Sequence, residues 1–120
     1  MTLVLIAIAG GFGAVCRYLV DRLIMTRWTG PFPLGTLTVN VTGSAALGAL
    51  TAATLAGHVP APVAAWAGVG FLGAYTIFST FTFETLRLVE DGAWTHAAWN
   101  LALSGPVSFT AAAAGFLAVP

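Results

Sequence analysis

Charge is what this sequence has least of. Asp, Glu, Lys and Arg make up 7% of its 120 residues, against roughly a quarter in soluble domains, so the chain cannot dress a water-facing surface. The charges are Arg17, Asp21, Arg22, Arg27, Glu84, Arg87, Glu90 and Asp91, and they sum to zero. That excludes a basic face for nucleic acid and a polybasic anchor for anionic lipid. Cysteine is nearly missing too. With Cys16 alone, no disulfide forms within the chain and no cysteine-based metal site can be assembled; a small apolar filler on a helix is the reading it supports. Catalytic groupings are also absent: there is no acid pair within an apolar tract, no Ser/His/Asp arrangement, no P-loop and no dinucleotide fingerprint. His58 and His96 stand at segment ends rather than in a cluster. An enzyme is not expected.

What the sequence has in abundance is apolar length. Hydrophobic residues make up 58% of the chain, and no charge falls between Met1 and Cys16, between Trp28 and Phe83, or after Asp91. Each tract accommodates at least one membrane span of about 20 residues. The reading is an all-α integral membrane protein of the cell membrane. One multi-pass transmembrane domain fills residues 1–120, with four helices over about 3–23, 34–56, 63–89 and 94–117. The first span does not read as a cleavable signal, because it has no basic start and Arg17-Tyr18 continues it without a small-residue cleavage pattern. Trp28, Pro31 and Pro33 make an interfacial turn, and Gly57 to Pro62 a short loop, where His58 reads as solvated.

Polar residues inside these spans carry the functional signal. In the third, Gly70-Phe71-Leu72-Gly73-Ala74-Tyr75-Thr76-Ile77-Phe78-Ser79-Thr80-Phe81-Thr82-Phe83-Glu84 combines glycines, hydroxyls, phenylalanines and a carboxylate. The glycines weaken a helix, so a break in mid-span is expected, and carbonyls freed in hydrocarbon need an ion, water or a neighbouring helix. Phe78 and Phe81 share a helix face that Thr82 adjoins. Aromatics at this spacing ordinarily pack a core, yet the electropositive edge of a phenyl ring can also meet a small dehydrated anion. Glu84 and Arg87, three apart, read as an interfacial ion pair. In the second span Thr36, Asn40, Gly43 and Ser44 fall on one side. From spacing alone an interhelical hydrogen bond is the stronger reading of Asn40, and a donor aimed at an anion is the other. In the fourth, Asn100, Ser104 and Ser108 form a stripe that either glues helices or lines a polar path, with Pro106 a possible kink. Gly10, Gly11 and Gly13 permit close helix approach in the first span, and Arg17 beyond them either snorkels or faces a water-filled entrance. Four helices are too few to enclose a pore, so a pore needs at least a dimer.

Three stretches together resemble the Fluc (CrcB) fluoride channels: Gly10-Gly11-Phe12-Gly13-Ala14-Val15-Cys16-Arg17-Tyr18, Gly35-Thr36-Leu37-Thr38-Val39-Asn40-Val41-Thr42-Gly43-Ser44, and Gly70 to Phe81. They occur in order, and the similarity covers essentially the whole chain. The resemblance implies an antiparallel, dual-topology homodimer whose two pores pass fluoride down its gradient and confer fluoride resistance. It implies that Asn40 donates to the ion and that Phe78 and Phe81 present ring edges to it. Ser79, Thr82, Ser104 and Ser108 would belong to or neighbour the polar track, and Arg17 would lie toward a vestibule. It also implies a structural sodium ion at the dimer centre, held by the carbonyls of Gly73 and Thr76 from both subunits. Oxygen-only ligation suits such a hard cation.

Two features depart from this pattern. Ile77 stands where the family commonly has a second threonine. The arginines are one-sided as well: in a four-span chain Arg22, Arg27 and Arg87 face one side of the membrane and the other side has none, which by itself predicts a single orientation with both termini outside. Either that bias is overridden or the partner is an oppositely oriented homologue. Two other classes fit less of the sequence. A proton-coupled exporter of the small multidrug-resistance type needs a mid-membrane carboxylate, and the first span has none while Glu84 lies toward a helix end. A non-conducting assembly subunit would explain Asn40 and Ser104 as glue but not the glycines beside the phenylalanines.

Overall fold

The computed structural model describes residues 1–76 and 78–120, with Ser79 by its backbone alone; Ile77 and the Ser79 side chain lie outside the described residues. The helices are α1 (Thr2–Arg27), α2 (Leu34–Leu55), α3 (Ala61–Ala64), α4 (Gly73–Tyr75), α5 (Ser79–Glu90) and α6 (Trp94–Leu117), and a π-helical stretch, Ala65–Leu72, joins α3 to α4. Among the described residues there is no strand. Three parts of the chain, Thr2–Arg27, Ala61–Glu90 and Trp94–Leu117, are long and apolar enough to cross a membrane. α2 has the length, 22 residues, but Thr36, Thr38, Asn40, Thr42 and Ser44 make it less apolar than the expected fourth apolar span.

Local signals set the helix ends. α1 runs on to Arg27 before Trp28 turns extended, where Trp28 Nε1 donates to the Phe32 carbonyl at 2.9 Å. Pro33 precedes α2, and Pro62 sits in the first turn of α3, where its missing N–H costs nothing. α2 and α5 both stop on a glycine in the left-handed region, Gly57 at φ 78° and Gly92 at φ 77°. Past each glycine the chain folds back on its own last turn: His58 N donates to Ala53 O at 2.9 Å, and Ala93 N to Leu88 O at 2.8 Å. These bonds satisfy carbonyls that would otherwise face hydrocarbon or headgroups unpaired.

Two helix pairs make the body. α2 lies along α6, and α1 along the π-helical stretch and α4. Glycines allow both contacts, and each pair uses them reciprocally. Gly48 of α2 abuts the carbonyl of Ala112, and Gly115 of α6 abuts the carbonyl of Ala45. Likewise Gly13 of α1 meets the carbonyl of Phe71, and Gly70 meets that of Ile6. A Cβ at any of these would collide with backbone, so the side-chain void is what brings the helices together. The buried apolar core is correspondingly thin: Ala9, Val39, Ala52, Leu72, Leu88 and Ala97.

The π-helical stretch ends where the structural reading matters most. The N–H of Gly73 points to the carbonyls of Gly68, five back, and Gly70, three back, rather than to that of Val69, four back. Such widened turns are rare, and they frequently mark functional sites. At Thr76 the backbone becomes extended, φ −77° and ψ 145°, and α5 starts at Ser79.

Candidate functional site

Asn40, Ser44 and Leu47 of α2, Thr76 and Phe78 between α4 and α5, Phe81 of α5, and Ser104, Gly105 and Ser108 of α6 line one open groove of about 270 Å³. Three elements distant in sequence supply it. α2 contributes its polar stripe because Gly48 and Gly115 hold α2 and α6 close enough for the stripes of both to face one space. The extended Thr76 then turns the chain so that Phe78 and Phe81 reach the same space. Their rings stand 5.7 Å apart, tilted by 45°. Phe78 is 77% exposed, so its ring projects outward and, among the described residues, the groove has no wall on that side.

The donors in the groove differ in what holds them. Ser108 Oγ is buried and, among the described residues, has no hydrogen-bond partner. An unpaired buried hydroxyl costs about 1–3 kcal/mol, and in a native fold it requires an explanation. Ser104 Oγ donates to Asn100 Oδ1 at 3.2 Å. Thr76 Oγ1 bonds back to the Leu72 carbonyl at 3.0 Å. The groove thus combines hydroxyls, an amide and two aromatic rings, and among the described residues no charged side chain lines it. Such a lining suits a small anion through the amide N–H groups of Asn40, the uncommitted hydroxyl of Ser108 and the ring edges of Phe78 and Phe81.

The polar stripe of α2 divides in two. Its first member, Thr36, donates to Glu84 Oε1 at 2.6 Å, while Asn40 and Ser44 face the groove. The sequence spacing pairs Glu84 with Arg87. Among the described residues no ion pair joins them; Arg87 lies over the Phe83 ring, 6.0 Å from its centroid. Below this, Asp21 packs its carboxylate against the backbone of Gly35 at the start of α2. Tyr75, stacked on Phe71 at 6.0 Å, shares a 3.0 Å hydrogen bond with Thr42.

Of the residues singled out from sequence, Asn40, Phe78, Phe81, Ser104, Ser108 and Thr76 come together in the groove. Thr82 does not: its hydroxyl donates to the Phe78 carbonyl at 3.1 Å on an exposed face. Arg17 is half-buried on α1, away from the groove lining, and Gly73 is exposed. The Ser79 side chain lies outside the described residues. The sequence reading missed Gly105, which has open space where a Cβ would be, and Thr85, whose hydroxyl accepts from Asn100 at 2.8 Å. Gly105 carries no polar signal, and Thr85 becomes visible only once α5 and α6 are packed.

Residues 4–116 match the model of the family described as CrcB-like protein, Camphor Resistance (CrcB). The chain belongs to the CrcB-like family. Among its CrcB-like relatives, a fluoride-specific ion channel FluC 1 of Nocardia farcinica is 47% identical over 87% of this chain and 70% of its own length. A second, FluC 1 of Frankia casuarinae, is 50% identical over 92% of this chain and 91% of its own. The FluC of Shewanella loihica is 45% identical over 85% of this chain and 82% of its own. Family membership and the apolar helices together make this CrcB-like chain a multi-pass protein of the plasma membrane.

Proposed function

We propose that this chain is the subunit of a fluoride-selective channel that lets fluoride leave the cytoplasm passively. The observation that carries the reading is the groove in which Asn40, Ser104 and Ser108 face Phe78 and Phe81. Its relatives' names say what they conduct; the groove offers a physical route to the same task. Fluoride is small and holds its water tightly, so a path must replace hydration with short donor contacts. The Asn40 amide and the Ser108 hydroxyl supply donors, and the ring edges of Phe78 and Phe81 supply weaker positive potential without binding so tightly that the ion stays. Chloride, larger and held by the same few rigid groups, gains less for the water it loses.

One chain leaves the groove open beside Phe78. The reading therefore includes a second, antiparallel copy that closes it, giving two pores, with α2 also crossing the membrane because its polar side is covered by α5, α6 and the groove. In this four-span arrangement the third span is interrupted at Thr76, where the backbone is extended. A structural sodium ion belongs to the same proposal. Thr76, extended at ψ 145°, turns its carbonyl out of the helical ladder, which suits a hard cation, and Gly73 and Thr76 would hold it with their backbone oxygens. When bound, that ion supplies a fixed positive charge near the anion paths. Arg17 would raise anion concentration at the mouth. Hydrogen fluoride crosses lipid as a neutral acid and dissociates inside, and a negative-inside potential drives the trapped anion outward by about 2.3 kcal/mol per 100 mV, so no energy source is needed.

The test is efflux from liposomes containing the purified chain, with fluoride and chloride electrodes in parallel. Rapid fluoride loss without chloride loss is the expected outcome. A well-folded preparation that releases neither, alone and with an oppositely oriented homologue, would overturn the reading.

A further inference from the structure

One buried side chain in the polar stripe of α6 does not reach the groove. Asn100 is 1% exposed, yet its two ends bind different walls. Its Nδ2 donates to Thr85 Oγ1 at 2.8 Å, and its Oδ1 accepts from Ser104 Oγ at 3.2 Å. Thr85 Oγ1 in turn donates to the Phe81 carbonyl at 2.8 Å. The direction of this chain of bonds is fixed from one end. A carbonyl can only accept, so Thr85 spends its single proton on Phe81 and can only accept from Asn100. The amide must therefore turn its nitrogen to Thr85 and its oxygen to Ser104. Ser104 is left as the donor, and its one proton points away from the groove.

We infer that Asn100 is a positioning residue that sets anion selectivity by holding the Ser104 proton in reserve. This rests on the channel reading of the groove. With its proton committed to Asn100, Ser104 offers lone pairs to the groove, which repel any anion. To donate, it must abandon Asn100 Oδ1, and that oxygen is too buried to be compensated by water. The 3.2 Å bond is long for a hydroxyl donor, hence breakable. A small, strongly accepting anion that approaches closely regains more than the switch costs; a larger, more diffuse anion does not. The cost falls on every ion, but only fluoride recovers it. Because the same amide reaches Phe81 through Thr85, it also couples the serine wall to the ring wall.

The decisive variant is Thr85→Val, which keeps the shape of the side chain and removes the hydroxyl that anchors the amide. Thr85→Ser keeps the hydroxyl. In the liposome assay with both electrodes, Thr85→Val and Asn100→Leu are each expected to lower the fluoride-over-chloride ratio by about threefold to tenfold, the scale of an interhelical hydrogen bond in membranes. Thr85→Ser is expected to restore the wild-type ratio. A purely structural role would alter folding or total flux but not the ratio. If Asn100→Leu fails to fold, Thr85→Val decides. A wild-type ratio in Thr85→Val overturns the inference, as does an equal shift in Thr85→Val and Thr85→Ser. Absence of fluoride flux in the wild-type chain, both alone and with an oppositely oriented homologue, overturns the channel reading and this inference with it, which separates the two failures.

Discussion

Ser104 and Ser108 stand one turn apart on α6 and line the same groove, but they differ in what their protons do. Ser104 donates to Asn100, whereas Ser108 Oγ has no partner among the described residues. The unpaired hydroxyl is the one with a proton to give, and hydrogen bonds to charged groups are worth about 1.5–3 kcal/mol. Ser108→Ala should therefore slow fluoride efflux by about tenfold or more, and Ser104→Ala by about threefold or less, measured with the fluoride electrode on equal amounts of protein. The reverse order would mean that the proton assignments are wrong. Gly105 between them has nothing near the position of a Cβ, so Gly105→Val should leave the chain folded and bring efflux close to the protein-free background by filling the groove. Size-exclusion chromatography of that variant checks the first half and efflux the second. At this scale the polar and aromatic members of the groove were legible. Asn40 and the serine stripe show because amides and hydroxyls are rare in apolar tracts, and Phe78 and Phe81 through their spacing. Gly105 and Thr85 were not legible, since a void and a partner 15 residues from Asn100 exist only after α5 and α6 meet.

At the scale of elements, the glycines of α1 divide into those that matter and one that does not. Sequence put Gly10, Gly11 and Gly13 in one packing role. In the fold, Gly13 faces the Phe71 carbonyl directly, Gly10 has its nearest atom at 3.7 Å, and Gly11 faces open space. Gly13→Ala forces backbone against backbone, where neither side can yield without shifting a helix. The expected cost is about 1–3 kcal/mol, while Gly11→Ala should be neutral or slightly stabilising through better helix propensity. Thermal unfolding of the two variants in the same detergent checks this, and equal melting temperatures would contradict the α1 packing described above. The partner surface for Gly13 is the π-helical stretch Ala65–Leu72. Its glycines signalled a weak helix, but nothing in residue order specifies a widened turn rather than an ordinary one. The stretch packs on α1, where Gly70 abuts the Ile6 carbonyl. The polar content of α2 is a similar case. Its residues were readable as a stripe, but whether the helix is apolar enough to stand in lipid by itself depends on what covers Thr36 and Asn40.

The whole chain exposes 7187 Å², against about 6,100 Å² for a compact soluble chain of 12.3 kDa. Much of the excess is apolar: Leu3, Val4, Ile8, Phe12, Val15, Leu19 and Leu23 all stand out from α1. Lipid can cover such a face, and lipid alone cannot complete a groove that ends at the exposed ring of Phe78. A second chain must arrive in the opposite orientation for the antiparallel proposal, and here the arginines pull against the geometry. Arg22 and Arg27 end α1 and Arg87 lies in the last turn of α5, all on one side of a four-span chain. Acidic neighbours such as Glu90 and Asp91 cancel little of such a bias, because orientation follows positive residues rather than net charge. The two arguments make opposite predictions for one observable. If groove closure by an identical chain governs assembly, a reporter fused after Pro120 should be accessible from both sides of the cell membrane in about equal shares, and liposomes holding this chain alone should release fluoride. If the arginines govern, the reporter appears outside only. The pure chain would then be silent in liposomes until a homologue with the opposite arginine asymmetry is added, and the groove would be completed by that homologue's helices instead.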